Sequence, residues 1–261
     1  MRMFRRSFLW LVPAVSLSVA PAVAQTPVVP VLDHIHLAAP DQPKAVEWYQ
    51  KNFGGQKMAE GTDRLMFGET RVVFLKSDKA QPSAGSAIDH IGFSLADLDA
   101  KMKEFEAAGV KVVTPVRDVA GLFKLGFIED PWGTRIEVVQ DPETLGLHHV
   151  HLRAPDTAAA LAWYMEKFGG VSAKLKGRID GVKYGTVWLL AQRGDSVPSE
   201  GHAVDHIGWR TTNLDTKSAE LKGQNVKFTA ELLTLNLAGG NTIHFTFLEG
   251  PAETRIELVQ R

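Results

Sequence analysis

The residues that could do chemistry here are histidines and acids. The chain has nine histidines and no cysteine. Disulfides, thiolate metal sites and cysteine nucleophiles are therefore excluded. Imidazole and carboxylate remain, and together they suit Fe(II), Mn(II), Zn(II) or Ni(II). A lone histidine on an apolar strand is ordinarily a hydrogen-bonded core residue. These histidines differ because they recur. All nine lie in or beside segments that alternate like strands, where every second side chain points to one face.

The recurrence is an internal repeat. Asp33-His34-Ile35-His36-Leu37 returns as His148-His149-Val150-His151-Leu152. Asp89-His90-Ile91-Gly92 returns as Asp205-His206-Ile207-Gly208, and Thr134-Arg135-Ile136-Glu137 as Thr254-Arg255-Ile256-Glu257. The offset is 115 residues from His34 to His149, 116 from His90 to His206, and 120 from Glu137 to Glu257. The drift places a small insertion around Leu235 to Asn241. Each copy also divides in half, because Asp33-His34-Ile35 recurs within it as Asp89-His90-Ile91.

The elements that must position these residues follow from pattern. A helix bearing Trp48-Tyr49 stops at Gly54-Gly55, and its repeat bearing Trp163-Tyr164 stops at Gly169-Gly170. These aromatics read as helix–sheet core. Another helix runs from Leu98 to Ala108, with Leu98, Met102 and Phe105 on one face and Gly109 as its stop. Leu65 to Lys76, Val110 to Val116, Leu122 to Glu129 and Ile136 to Gln140 alternate like strands. Asp130-Pro131-Trp132-Gly133 reads as a turn. The unit is strand–helix–strand–strand–strand, present four times. Links 77–87 and 192–203 are rich in Ser, Gly and Pro. Link 141–146 is short, so the two copies should pack on each other.

This layout resembles the vicinal oxygen chelate superfamily, which includes glyoxalase I, fosfomycin-resistance transferases, methylmalonyl-CoA epimerase and extradiol dioxygenases. The resemblance covers residues 32–261. It implies an α+β fold in which four βαβββ units form two cup-shaped domains, with mixed sheets and helices packed outside. It implies domains at 32–140 and 147–261, joined by the linker 141–146. The family's metal ligands fall on His34, His90 and Glu137 in the first copy. In the second they fall on His149, His206 and Glu257. Ligands from one copy, or His34 joining His206 and Glu257 in a swapped arrangement, are both open at this stage.

Glyoxalase I and the epimerase resemble each other in using a fourth ligand on the last strand of the first half-unit. That position falls on Val73 and, more loosely, on Trp188, neither of which binds metal. The expectation is three protein ligands per site, similar to extradiol dioxygenases with Fe(II) favoured over Mn, Zn or Ni. A glyoxalase-type lyase or isomerase is the alternative, and a non-catalytic small-molecule binder is a third reading. His36 and His151 share the face of the first ligand, and His244 lies on the strand before Glu257. These three are the candidates for acid–base work. Arg135 and Arg255 are expected to pair with solvent-side acids.

Residues 1–24 read as a signal peptide: Arg2, Arg5 and Arg6, an apolar run from Phe8 to Val19, then Ala22-Val23-Ala24. Arg5-Arg6-Ser7-Phe8-Leu9 also resembles a twin-arginine signal. A periplasmic or secreted protein is expected, with 25–31 as its leading segment and no membrane contact after cleavage. The net charge of -1 gives no sign of a nucleic-acid surface. A small-molecule substrate is expected, and a homodimer is compatible with the fold.

Overall fold

The computed structural model describes residues 31–260 apart from 60, 237–239 and 241. The signal-peptide reading of residues 1–24 and most of 25–31 lie outside the described residues.

Four half-units follow one another. The first is β1 (Leu32–Ala39), α1 (Gln42–Phe53), β2 (Gln56–Met58), β3 (Gly61–Phe67) and β4 (Thr70–Lys76). The second is β5 (Ile88–Ser94), α2 (Leu98–Ala107), β6 (Lys111–Asp118), β7 (Lys124–Glu129) and β8 (Arg135–Val139). The third is β9 (Gly146–Ala154), α3 (Thr157–Phe168), β10 (Val171–Leu175), β11 (Ile179–Tyr184) and β12 (Val187–Arg193). The fourth is β13 (Val204–Arg210), α4 (Leu214–Gly223), β14 (Leu233–Asn236), β15 (Thr242–Glu249) and β16 (Arg255–Gln260). The expected Leu65–Lys76 strand is in fact a hairpin, because Gly68 at φ 60° turns the chain between β3 and β4.

Each helix starts on a short polar cap. Asp41, Asp97, Asp156 and Asn213 accept from the backbone N–H three residues on. Gly54 and Gly169 end α1 and α3 at φ 80° and 74°.

The sheets are where sequence order and space part company. One eight-stranded sheet runs β14-β15-β16-β13-β1-β4-β3-β2, and the other runs β10-β11-β12-β9-β5-β8-β7-β6. The first and fourth half-units thus share one sheet, and the second and third share the other. The junctions are antiparallel, β1 with β13 and β5 with β9. The two copies are units of repetition, but neither 32–140 nor 147–261 closes a sheet by itself. The swapped arrangement is the one adopted.

Link lengths account for this. β8 ends and β9 begins at the same end of β5, since Ser94 pairs with Gly146. A short link suffices, and it is pinned: Ser94 Oγ donates to Asp141 O at 2.8 Å, and Asp141 N donates back at 2.9 Å. The longer links 77–87 and 192–203 carry the chain between sheets. They pair with each other, through Ala87 N to Val197 O at 2.8 Å and Ala203 N to Gln81 O at 2.7 Å.

Half-units of one copy still touch, through side chains. Phe53 of α1 stacks on Phe93 of β5 with centroids 4.1 Å apart, and Phe168 of α3 stacks on Trp209 of β13 at 4.4 Å. Tyr49 and Tyr164 are fully buried in this core, as their helix positions predicted. The aliphatic residues Ile35, Ile91, Val150 and Ile207 point into it at 0% exposure. By strand alternation the neighbouring histidines face the opposite side, into the two cups.

Candidate active sites in two cups

Each cup gathers four donors. His34, His36, His206 and Glu257 form one cluster, and His90, Glu137, His149 and His151 form the other. Within each, one nitrogen or oxygen per residue lies within 4.8 Å of all the others. All six residues expected to bind metal fall in these clusters, but each triad draws on both copies.

Four β-bulges aim these side chains. The register between β1 and β13 slips at Asp33 and again at Asp205, and that between β5 and β9 slips at Asp89 and at His148. A bulge turns two consecutive side chains toward one side. So Asp33 reaches the Nδ1 of His34 at 2.9 Å, Asp89 that of His90 at 2.7 Å and Asp205 that of His206 at 2.6 Å. An Nδ1–H held by a carboxylate leaves Nε2 with its lone pair facing the cup.

Opposite His34 stands Gly208, and opposite His149 stands Gly92. A Cβ at either glycine would fall 2.1 Å from the ring's Cε1. The imidazole occupies that space, which is why Asp-His-Ile-Gly faces a strand carrying two inward histidines. His36 lies against His206 with centroids 4.2 Å apart, and His151 against His90 at 4.5 Å.

In the first cup, Glu257 Oε2 lies 3.1 Å from His206 Nε2 and 3.4 Å from His34 Nε2. In the second, Glu137 Oε2 lies 3.1 Å from both His90 Nε2 and His149 Nε2. The glutamates are 7% and 8% exposed, and the four triad histidines at most 2%. Burial disfavours charge on each glutamate, but the surrounding imidazoles outweigh it and hold both carboxyls below their usual range. Burial also works against a charged His34, yet Glu257 and Asp33 raise it to about 9. His149 moves the other way, lowered by burial. His36 and His151 are held well below 6.5 by burial and by the histidines beside them, so both are neutral. Their Nδ1 atoms are buried with no hydrogen-bond partner among the described residues.

Two buried triad nitrogens, one carboxylate oxygen and a third imidazole nitrogen within 4.8 Å of one another suit a divalent metal. The residues that would hold it are His34, His206 and Glu257 in one cup and His90, His149 and Glu137 in the other. His36 and His151 stand beside each triad, in reach of a ligand as well as of the metal.

Other expected residues fall elsewhere. His244 is on β15, with Nδ1 3.1 Å from Thr234 Oγ1. Its neighbours Ile243 and Phe245 line the first cup. Alternation therefore turns His244 to the other face, away from the donors. Val73 pairs with His36 and lines the cup, as expected of the fourth-ligand position. Its counterpart is Leu190, which pairs with His151; Trp188 pairs with His149 instead. Leu190 binds no metal either. Arg135 and Arg255 do not turn to solvent-side acids alone. They hold Asp89 at 3.3 Å and Asp205 at 2.9 Å, the carboxylates that orient His90 and His206. Each also lies over a phenylalanine, Phe127 or Phe247.

The first cup opens into a cavity of about 310 Å³. Leu235, Ile243, Phe245 and Phe247 form an apolar wall, and Gln42, Arg64 and Lys76 add polar groups. Arg64 is paired with Asp63 at 2.7 Å. None of these wall residues was singled out from sequence, though the offset drift marks the β14–β15 insertion that supplies Leu235. In the second cup, Leu175, Trp188 and Leu190 cluster with Phe123, Ala173 and Ile179 packed against them.

Comparison with known proteins agrees with this architecture. No curated protein matches the chain by sequence. Among solved structures, glyoxalase I from Zea mays superposes with a TM-score of 0.68 at 17% identity, covering 88% of this chain and 92% of that one. A candidate dioxygenase from Bacillus subtilis subsp. subtilis strain 168 superposes with a TM-score of 0.57 at 12% identity, covering 89% and 85%. At such identities the likeness is one of fold. The family model of the Glyoxalase/Bleomycin resistance protein/Dioxygenase superfamily matches twice, over residues 31–138 and 146–258. With both copies matched and both donor clusters in place, the chain belongs to the Glyoxalase/Bleomycin resistance protein/Dioxygenase superfamily.

Proposed function

We propose that the protein is a divalent-metal-dependent enzyme whose first cup takes a compact, largely apolar molecule that chelates through two adjacent oxygens. Extradiol cleavage of a catechol-like ring is the leading reaction. The observation that carries this reading is the donor set. Two histidines and one glutamate converge, and the adjacent-strand position holds Val73, which leaves coordination positions for substrate.

Ferrous iron bound there would supply a Lewis acid for a chelating hydroxyl and a redox centre for dioxygen. The protein's own residues do the rest. His36, which lines the cavity beside the triad, is the residue placed to accept a substrate hydroxyl proton. Phe245 and Phe247 present an apolar wall to a planar ring and exclude water, and the Arg64–Asp63 pair marks the polar side. The buried Glu257 keeps its charge and balances the cation.

Lyase or isomerase chemistry of the glyoxalase type is the second reading. One observation favours it: His36 lies close enough to complete a four-donor set. Metal analysis of the purified protein, anaerobic Fe(II) loading and an assay on simple catechols separate the two. A yellow ring-fission product dependent on Fe(II) and O₂ supports cleavage. Activity on a hemithioacetal with Ni(II) or Zn(II), and none on catechols, rejects it. Export is part of the proposal too. Cell fractionation tests it, and recovery of full-length, uncleaved chain from the cytoplasm would end it.

A further inference from the structure

We propose that the two clusters hold metal with unequal strength, the first cup more tightly than the second, because Asp33 backs His34 whereas His148 backs His149. The proposal rests on the metal-binding reading above.

Three of the four triad histidines give their Nδ1 proton to the aspartate just before them. At the fourth, that residue is His148. It occupies the same bulge as Asp33 and is fully buried. Its Nδ1 lies 2.8 Å from His149 Nδ1, and its Nε2 lies 3.3 Å from Asp141 Oδ2. The tautomers follow from this chain. Asp141 is a carboxylate, held by Lys176 at 2.8 Å, so His148 must donate from Nε2. A neutral His148 then accepts at Nδ1, His149 donates from Nδ1, and His149 Nε2 faces Glu137. His149 is thus oriented correctly for a metal, but by a neutral acceptor one residue removed from the charge.

The difference matters for a cation. A carboxylate hydrogen-bonded to a ligand imidazole raises its basicity and places negative charge one ring away from the metal. Loss of such a partner typically lowers metal affinity about 10- to 100-fold. At His34 the carboxylate is direct, with Asp33 fixed in place by Arg71 at 3.2 Å and Arg210 at 3.0 Å. Neither arginine has a charged counterpart in the second cup. The residue beside His149 is Trp188, and the one at the Arg210 position is Ser94. The arginines fix the carboxylate through Oδ1 and leave Oδ2 on the His34 ring, whereas the second cup orients its histidine through a neutral imidazole.

The test is titration of the chelator-stripped full-length chain with Co(II), read by calorimetry and by the visible spectrum of the bound ion. Two binding phases are expected, with Kd values separated by about tenfold. Glu257→Gln removes the tight phase and Glu137→Gln the weak one, so each cup is measured alone. Asp33→Asn, which keeps an acceptor but removes the charge, brings the tight phase to the weak one. Equal Kd values in the two glutamate variants, or a tight phase that disappears in Glu137→Gln, overturn this proposal while leaving metal binding intact. No Co(II) uptake in the native chain or either variant overturns the metal-binding reading, and this proposal with it.

Discussion

The two cups have the same backbone plan and the same ligand types, yet they are lined differently. The first is walled by Phe245, Phe247, Leu235 and Ile243 around a cavity that reaches His36, His206 and Glu257. The second gathers Trp188, Leu175 and Leu190 into an apolar cluster on the strands beside His149 and His151. Duplication supplied two triads, and divergence around them changed what each can admit. Ligand spacing is held by the bulges and by glycines opposite the rings. The lining is under no such constraint and is free to vary.

Removing one carboxylate from each cup tests that division most severely. Glu257→Gln is expected to lower turnover by on the order of 100-fold or more, at least the effect of losing a ligand's supporting partner. Glu137→Gln is expected to keep more than half of the activity. Steady-state assays with metal content measured in parallel check this, and equal losses in both variants would show that the cups act together.

A structural perturbation comes next. Gly208→Ala sets a methyl against the His34 ring, and Gly92→Ala does the same to His149. Each should cost about 1–3 kcal/mol by overpacking and empty its own cup while sparing the other. Chemical denaturation and metal stoichiometry read the two effects. Loss of both metals from either variant would mean the sheets are coupled more tightly than their separate ladders suggest.

The gentlest contrast is a pH slope. Asp130 is buried, and burial raises it to about 6 although Tyr49 Oη donates to it at 2.8 Å and two backbone N–H groups add to this. Its place in the second copy is Gly250, which cannot titrate. A raised acid binds its proton more tightly when folded. Its stabilising contribution is therefore complete below the unfolded value, near 4, and declines as pH rises toward 6. Stability should fall across that window by about 1 kcal/mol per pH unit, and Asp130→Asn should flatten the slope. Thermal melts between pH 4 and 7 measure it; an unchanged slope in the variant would assign it to other groups.

Much of this was legible before any coordinates. The half-unit boundaries and the helix faces bearing Tyr49, Met102 and Phe105 follow from periodicity and repetition, and the family resemblance named the six residues that gather in the cups. Glycine stops are local signals, and Gly54, Gly109 and Gly169 marked the C-terminal ends of α1, α2 and α3 well. Gly68 was the local signal overlooked, and a hairpin read as one strand. His244 was misplaced because being on a neighbouring strand says nothing about which face a side chain takes. Arg135 and Arg255 were expected to meet solvent-side acids, but Asp89 and Asp205, which they hold, lie on other strands, beyond the reach of pattern.

The sequence by itself determined the kind of centre: imidazole, imidazole and carboxylate, twice, on strands of alternating exposure. Only the tertiary structure decided which members meet. Both strands that could face His34 and His36 carry the same Asp-His-Ile-Gly, at 89–92 and at 205–208. Local complementarity is therefore degenerate. The choice was made by chain geometry, with the short pinned link at Ser94 keeping β8 and β9 on one sheet and the longer links carrying the chain across to the other.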